Sequence, residues 1–457
     1  MILSTTTVTG IPLWASIPFV IMLLMIAIGP LVMEHWWENN KNKLIVSCVL
    51  GIPTAIYLVI NGLTANLEHQ IFGDYIPFIV LLTSLFVITG GIHLSGDIQA
   101  KPIINTLFLG IGYVLASFTG TTGAAMLLIR PVIETNSQRK FKTHTILFFI
   151  ASVANCGGLL SPLGDPPLLL LYLRGAKFTW FLNMTPEWLV AGALLLIIYF
   201  FVDTYYYKKE DKESLALDAA NIKPLKITGL VNLIYLAGVV CAVAFINPNI
   251  IPDMVDNPET GYVAPIWLKF LREIILVSLI FMSMYTTKKQ VREDNKFTWA
   301  PIIEVAVLFL GIFVTMTPTL LYLNEHANSF GLNKPYQFFY ITGLLSSFLD
   351  NAPTAVAFHS VASQLAPIAG EPIVAGVSEI LLKAIAIGAV FFGSMTYIGN
   401  GPNFMVKAIA EENGIKMPSF FGYILKFSLV VLLPIYIEGV RNDYLFIFRI
   451  NSYFISK

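Results

Sequence analysis

The sequence predicts an all-α polytopic membrane protein, with about ten membrane-crossing helices plus two re-entrant hairpins in two inverted repeats of five crossings each. Three observations lead there. First, 56% of the 457 residues are hydrophobic and only 12% are charged, against about 25% charged in soluble domains; the mean hydropathy is +0.73. Second, apolar stretches of about 20 residues recur along the whole chain, the length a helix needs to cross a bilayer. Third, the order of plain and interrupted stretches repeats between the two halves.

The elements follow in order. Residues 1–206 form the first repeat, with spans 11–33, 44–62 and 76–92, a hairpin 103–133, a broken helix 144–173 and a span 188–206. No Lys or Arg occurs in residues 1–10, so the first apolar segment lacks the basic start of a secretory signal and is expected to be a retained span. The hairpins are expected because 103–133 and 337–365 are interrupted near their centres, leaving apolar halves of about 12–16 residues, too short to cross alone. Residues 207–226 form a polar linker. Its charge run, Lys208-Lys209-Glu210-Asp211-Lys212-Glu213, reads as a solvated cytoplasmic connection. Residues 227–457 form the second repeat, with spans 227–246, 266–286 and 299–323, a hairpin 337–365, a broken helix 378–410 and a span 420–439.

Two sequence matches support the repeat. Leu115-Ala116-Ser117-Phe118 matches Leu345-Ser346-Ser347-Phe348. Ser161-Pro162-Leu163-Gly164-Asp165-Pro166-Pro167 aligns with Thr396-Tyr397-Ile398-Gly399-Asn400-Gly401-Pro402. Five crossings is an odd number, so the second half is inverted relative to the first. Seventeen Lys and Arg fall in loops on one side of this layout. Six fall on the other: Arg174, Lys177, Lys334, Arg441, Arg449 and Lys457. The positive-inside rule makes the first side cytoplasmic. Both termini then face outward, the first hairpin opens from the cytoplasm and the second from outside. In a bacterium this is a multi-pass protein of the cell (inner) membrane.

The chemistry lies at the interruptions. Two prolines and a glycine in Ser161–Pro167 cannot continue a helix, and a carboxylate at that depth is costly. Such defects suit the holding of an ion or solute. The first hairpin tip reads Ser117-Phe118-Thr119-Gly120-Thr121-Thr122-Gly123, and the second Ser346-Ser347-Phe348-Leu349-Asp350-Asn351-Ala352-Pro353-Thr354. Freed carbonyls and hydroxyls there suit a hard cation such as sodium, whereas helix N-termini aimed at a tip suit an anion. Asp350 and Asp165 are the sharper candidates. An unpaired buried carboxylate holds a proton or coordinates sodium, rarely both, which is the basis of proton–cation exchange. Capping of the second half of the hairpin is the bland role for Asp350, and Lys383 is the one basic residue placed to pair with it. Asp165 has Asn400 as its neutral counterpart. Gly164, Gly399 and Asn403 accompany them at the breaks, and Gly120 at the first tip, as candidate binding positions.

Other polar residues carry weaker signals. His93 and Asp97 lie four residues apart and share a face if the helix continues; a cytoplasmic pH sensor is one reading, polar residues in headgroup water the other. Glu304 lies near the start of its span. Glu379 and Lys383 are expected to form a membrane-end ion pair, and Arg130 to snorkel or pair. Cys48, Cys156 and Cys241 read as small core residues. The zero net charge implies no nucleic-acid partner, and no Ser–His or Cys–His pairing or HExxH motif suggests an enzyme.

At these motifs the chain resembles the ion-transporter superfamily, which includes NhaD-type sodium–proton antiporters, CitMHS-type citrate carriers, arsenite-pump membrane subunits and divalent anion–sodium symporters. The resemblance is nearest to the branch described as citrate transport or as sodium:proton antiport. It is carried by Ser161–Pro167 with Leu173-Arg174-Gly175, and by Leu349-Asp350-Asn351-Ala352-Pro353-Thr354. It implies hairpins and broken helices enclosing the solute, one bundle moving against a fixed scaffold, and a homodimer built on the early spans. It also implies sodium sites at the hairpin tips: Ser117, Thr119, Thr121, Thr122 and Ser161 in the first half, and Ser347, Asp350, Asn351, Thr354, Thr396 and Asn400 in the second. NhaD-like members often carry Asp-Asn at the first tip where this chain has Gly120-Thr121, which shifts weight to Asp165. The expected function is sodium:proton antiport by alternating access, with no cofactor beyond transported or coupling sodium. The rivals are a sodium-coupled citrate or dicarboxylate symporter and an arsenite-type efflux permease.

Overall fold

The computed structural model describes residues 10–438. The chain ends, whose outward orientation the charge count predicts, lie outside these residues, as do Arg441, Arg449, Lys457 and the last residue of the expected span 420–439. The protein is an all-α polytopic membrane protein. Among the described residues eight helices are long and apolar enough to cross a membrane: Leu13–Pro30, Asn40–Ile60, Thr64–Thr89, Pro102–Thr119, Thr143–Leu160, Phe178–Tyr207, Ala300–Phe330 and Phe420–Glu438.

In the first half the main helices are α1 (Ile17–Val32), α2 (Asn40–Ile60), α3 (Thr64–Thr89), α4 (Pro102–Thr119), α5 (Thr121–Thr135), α6 (Thr143–Ser152), α7 (Pro166–Leu173) and α8 (Thr185–Tyr207). In the second half they are α9 (Val231–Phe245), α10 (Leu271–Thr286), α11 (Ala300–His326), α12 (Pro335–Phe348), α13 (Asn351–Ala362), α14 (Glu379–Phe392), α15 (Gly401–Glu412) and α16 (Phe420–Glu438). The helices α4 and α5 pack on each other, as do α12 and α13. The first half of the first hairpin has 18 residues, longer than its sequence suggested, and it ends at Gly120.

Burial separates an outer group from an inner one. On α2, Ile45, Val49, Ile52 and Ile56 are exposed; their spacing of three to four residues forms one stripe. On α13 every residue but Ala357 is buried, and α7 is buried from Pro167 to Tyr172. Such helices are buried on every face because protein, not solvent, surrounds them.

Several elements differ from the expected bounds. The third span begins at Thr64 and stops at Thr89, with a π-helical turn at His69–Tyr75. Its last carbonyls are taken by side chains rather than by more helix. Arg292 donates to the Val87 carbonyl at 2.9 Å, and Asn295 to those of Gly90 and Ile92 at 3.1 and 2.8 Å, which satisfies the groups a helix end leaves open. His93–Asp97 is therefore not helical. It is a strand, β1, paired antiparallel with β2 (Lys223–Thr228) from the linker, so the shared helix face expected for His93 and Asp97 does not exist. The expected span 266–286 is the helix α10 after a separate turn Ile266–Lys269. The helix α9 has 15 residues, fewer than the expected 227–246.

The linker is not simply solvated. Glu210 is buried and accepts from the backbone N–H groups of Lys140 and Phe141, each at 2.9 Å. Asp218 is buried and accepts from Ala100 N–H at 3.1 Å; burial pushes its carboxyl above the usual carboxylate range. The charge run hid these anchors because only some of its members face solvent.

Candidate functional site

Both broken helices fail in the same way. After α6, a tight turn at Cys156–Leu160 leads into an extended Ser161 (φ −150, ψ 158) and an extended Asp165 (φ −146, ψ 145), and α7 follows. After α14, a turn at Gly393–Met395 leads into Thr396 (φ −140, ψ 169) and Asn400 (φ −150, ψ 139), and α15 follows. Each break is sealed by a hydroxyl. Ser161 Oγ donates to the Ser117 carbonyl and accepts from Leu163 N–H at 3.1 Å. Thr396 Oγ1 donates to the Ser347 carbonyl at 2.5 Å and accepts from Ile398 and Gly399 N–H at 3.2 and 3.1 Å. A hydroxyl is the side chain that can both donate and accept at one point.

Glycine is required where the broken chain touches itself. A Cβ on Gly164 would sit 1.9 Å from the Gly158 carbonyl oxygen, and one on Gly399 2.6 Å from that of Gly393. The first tip turns at Gly120 (φ 78, ψ 151), a conformation nearly closed to other residues. The second tip turns at Asp350, whose carboxylate accepts from Ala352 N–H at 3.0 Å and caps α13.

The tips and breaks meet at Asp165. Its Oδ1 accepts from Thr121 Oγ1 at 2.8 Å and from Asn400 Nδ2 at 3.0 Å, and its Oδ2 from Asn351 Nδ2 at 2.6 Å. Asp165 is 2% exposed. These four residues stand at or just before the starts of α5, α7, α13 and α15. Four helix N-termini thus converge on one carboxylate, each carrying roughly +0.5 of an elementary charge. Burial disfavours the charge; three donors and four helix ends favour it. No Lys or Arg contributes a hydrogen bond to Asp165 among the described residues. Asn351 Oδ1 is buried and accepts no hydrogen bond there.

Other expected residues form the surroundings. Ser117 Oγ donates to the Gly157 carbonyl. Gly164 accepts from Thr121 N–H at 2.7 Å, which ties the first break to the first tip. Thr119, Ser347 and Thr354 use their hydroxyls on the carbonyls of Leu115, Gly343 and Asp350, bonds within or beside their own helices. Thr122 is half-buried. Thr119 to Gly123, with Leu163 and Gly164, line a cleft whose other wall is Leu85 of α3 and Ile302 and Val305 of α11. Asn403 donates to the carbonyls of Gly393 and Thr396 at 2.8 and 2.9 Å. His93 and Asp97 lie in strand β1, which packs against α5, and neither bonds to Asp165.

Sequence reading missed Asn155. Its Nδ2 donates to Asn403 Oδ1 at 2.7 Å and its Oδ1 accepts from Asn400 at 3.1 Å, so it links the two breaks. An amide just before Cys156-Gly157-Gly158 in an apolar stretch was the available signal. The expected Glu379–Lys383 pair is absent among the described residues: Glu379 Oε1 accepts from Trp180 at 2.9 Å and Asn183 at 3.0 Å, because both donors reach the start of α14 from the helical turn Phe178–Met184. Lys383 is likewise not an ion-pair partner of Asp350 among the described residues. Glu304 pairs with Lys43 at 2.7 Å. Arg130 keeps one buried nitrogen, Nη1, without a hydrogen bond. All three cysteines are free thiols.

Residues 8–442 match the model of the family described as "Putative citrate transport". An uncharacterized transporter of Mycobacterium tuberculosis is 24% identical over 433 residues, covering 88% of this chain and 94% of the relative. A 46 kDa membrane protein of Mycobacterium leprae is 23% identical over 424 residues, with the same coverage. The inner membrane protein YbiR of Escherichia coli is 27% identical over 130 residues, 26% of this chain and 34% of the relative. The chain belongs to this citrate-transport family of multi-pass membrane proteins.

Proposed function

We propose that this member of the family is a secondary active transporter that exchanges sodium for protons by alternating access, with Asp165 as the exchanging carboxylate. One observation carries the reading: the focus of four helix N-termini and three neutral donors is already filled by the protein's own anion. A solute carboxylate would compete with Asp165 for those donors. A proton or a sodium ion would instead complete it. Asn351 Oδ1, which accepts no hydrogen bond among the described residues, is free to join a cation's ligands near Asp165, with Thr121 Oγ1 as a third. Hard oxygen ligands suit sodium. Asp350, one residue from the amide that reaches Asp165, adds negative potential to the same region. Its cap on α13 gives it a structural duty as well.

Sodium and proton exclude one another at a single buried carboxylate. Loss of the proton frees the carboxylate for sodium, and departure of sodium restores its affinity for the proton. That exclusion couples the two fluxes once the site faces the two membrane sides in turn. The test is proton movement in everted vesicles loaded with a pH dye. Sodium addition should dissipate the acid gradient with the unsubstituted chain, and Asp165→Asn should abolish the response. Normal exchange by Asp165→Asn would refute the assignment.

The family description, putative citrate transport, supports a second reading: uptake of citrate or a dicarboxylate, coupled to sodium. Sodium-driven accumulation of labelled citrate or succinate in the same vesicles, without proton counterflow, would establish it.

A further inference from the structure

The helix α3 meets the inner bundle differently at its two ends. Leu82, Leu85 and Phe86 line the cleft beside the first tip and first break, touching the tip through apolar side chains alone. Asp74 lies eight to twelve residues earlier, roughly 12–18 Å along the axis. There Arg174, at the end of α7, donates from Nη2 to Asp74 Oδ2 at 3.3 Å. The pair joins the broken helix that starts at Asp165 to the π-helical turn His69–Tyr75. The Asp74 side chain is 4% exposed and the Arg174 side chain 18%.

We propose that the Arg174–Asp74 ion pair is a gate: intact, it shuts the path from the Asp165 site to the membrane face opposite the cleft, and its rupture opens that path. This inference rests on the transport reading, since a gate serves a solute path. Three features fit a contact that breaks and re-forms. The pair is single and long, one N–H at 3.3 Å, whereas a bidentate guanidinium–carboxylate fork holds two shorter bonds. Arg174 Nε is buried and makes no hydrogen bond among the described residues, so the guanidinium is not locked. Asp74 Oδ2 also accepts from Gln70 Nε2 at 3.0 Å, so the carboxylate keeps a donor after Arg174 leaves. A buried charge stranded without any partner would make opening prohibitively costly; Gln70 removes that obstacle. The π-helical turn presents Gln70 and Asp74 together from one helix, a local irregularity that often marks functional positions.

The helix α7 makes the gate sensitive to the site. It packs along α13 and runs only from Pro166 to Leu173, so it acts as a short lever with Asp165 at one end and Arg174 at the other. A change of partners at Asp165 that tilts α7 is felt directly at the ion pair. On the orientation that the charge count predicts, the Arg174 end faces outward, so the intact pair shuts the outer path and the cleft lies toward the cytoplasm.

The experiment reads accessibility rather than transport. Val305→Cys reports the cleft and Leu173→Cys the opposite end, each in a full-length chain with Cys48→Ser and Cys241→Ser, reconstituted in nanodiscs and labelled with a polar maleimide. Asp74→Asn should slow labelling of Val305→Cys and speed that of Leu173→Cys, each by about fivefold or more, the lower range of conformational couplings. The charge-swapped pair Asp74→Arg with Arg174→Asp should return both rates to within about twofold of the starting chain. If Asp74→Asn yields no folded protein, Arg174→Gln gives the same two readings. Rates unchanged, or both raised together as in a loosened fold, would overturn the gate. Labelling needs no ion gradient, so a responsive gate in a chain that moves no protons would refute the sodium:proton reading alone.

Discussion

The two breaks have one backbone and two chemistries. Ser161 to Asp165 and Thr396 to Asn400 adopt nearly the same torsions, close on themselves through a glycine pair, and are sealed by one hydroxyl each. Yet the residue heading the following helix is a carboxylate in the first break and an amide in the second, and the amide donates to the carboxylate at 3.0 Å. The tips differ in the opposite sense: Gly120 turns the first, Asp350 the second. The likeness of the two breaks builds the meeting point, and the departures from it place the charge. Two facing carboxylates at the breaks would repel in a medium that screens poorly. One carboxylate with one amide attracts, and leaves a single carboxylate at the meeting point.

The largest effect should come from erasing that difference. Asp165→Asn makes both breaks neutral and should reduce sodium-dependent proton movement to background while the protein still folds, because an amide fits the space of the carboxylate. Next is Asn400→Asp, which makes both breaks acidic. Exchange should fall by at least about tenfold, the equivalent of one pKa unit of like-charge coupling. The double exchange, Asp165→Asn with Asn400→Asp, sharpens the comparison. If the centre needs one carboxylate among these donors, part of the activity returns; if it needs that carboxylate on α7, none does.

The tips give smaller effects, read as thermal stability of the purified protein. Gly120→Ala should cost about 1–3 kcal/mol, since the residue holds a backbone conformation that side chains oppose. Asp350→Asn keeps a capping side chain and should cost little stability, whereas Asp350→Ala should cost about 1 kcal/mol. If Asp350→Asn nonetheless weakens the dependence of exchange on sodium, its charge serves the site as well as the helix.

The sequence exposed the breaks because prolines, glycines and a carboxylate are conspicuous in apolar surroundings, and it exposed the tips by the same contrast. It also paired Asp165 with Asn400 through the aligned motifs. What it could not show was direction. Asp350 and Asp165 stood as two candidate acids; the Asp350 carboxylate caps its own helix, and its neighbour Asn351 reaches Asp165. Asn155 stayed hidden because its role depends on two residues nearly 250 positions away. The Arg139 guanidinium and the His144 ring both contact Asp203, at 2.7 and 2.8 Å. That buried cluster was equally invisible, as Arg139 sits in what reads as an ordinary basic loop. The strand at His93–Asp97 followed from the linker that pairs with it, a partner more than 120 residues distant. Local contrast was readable; tertiary convergence was not.

The most direct measurement is proton release on sodium binding, with no gradient and no turnover. Purified protein in weakly buffered detergent, with a pH-sensitive dye, should acidify the medium when sodium chloride is added but not when choline chloride is added. Asp165→Asn should release nothing. Equal release from Asp165→Asn, or none from the unsubstituted chain, would contradict the claim that one carboxylate at the meeting of four helix ends exchanges the two ions.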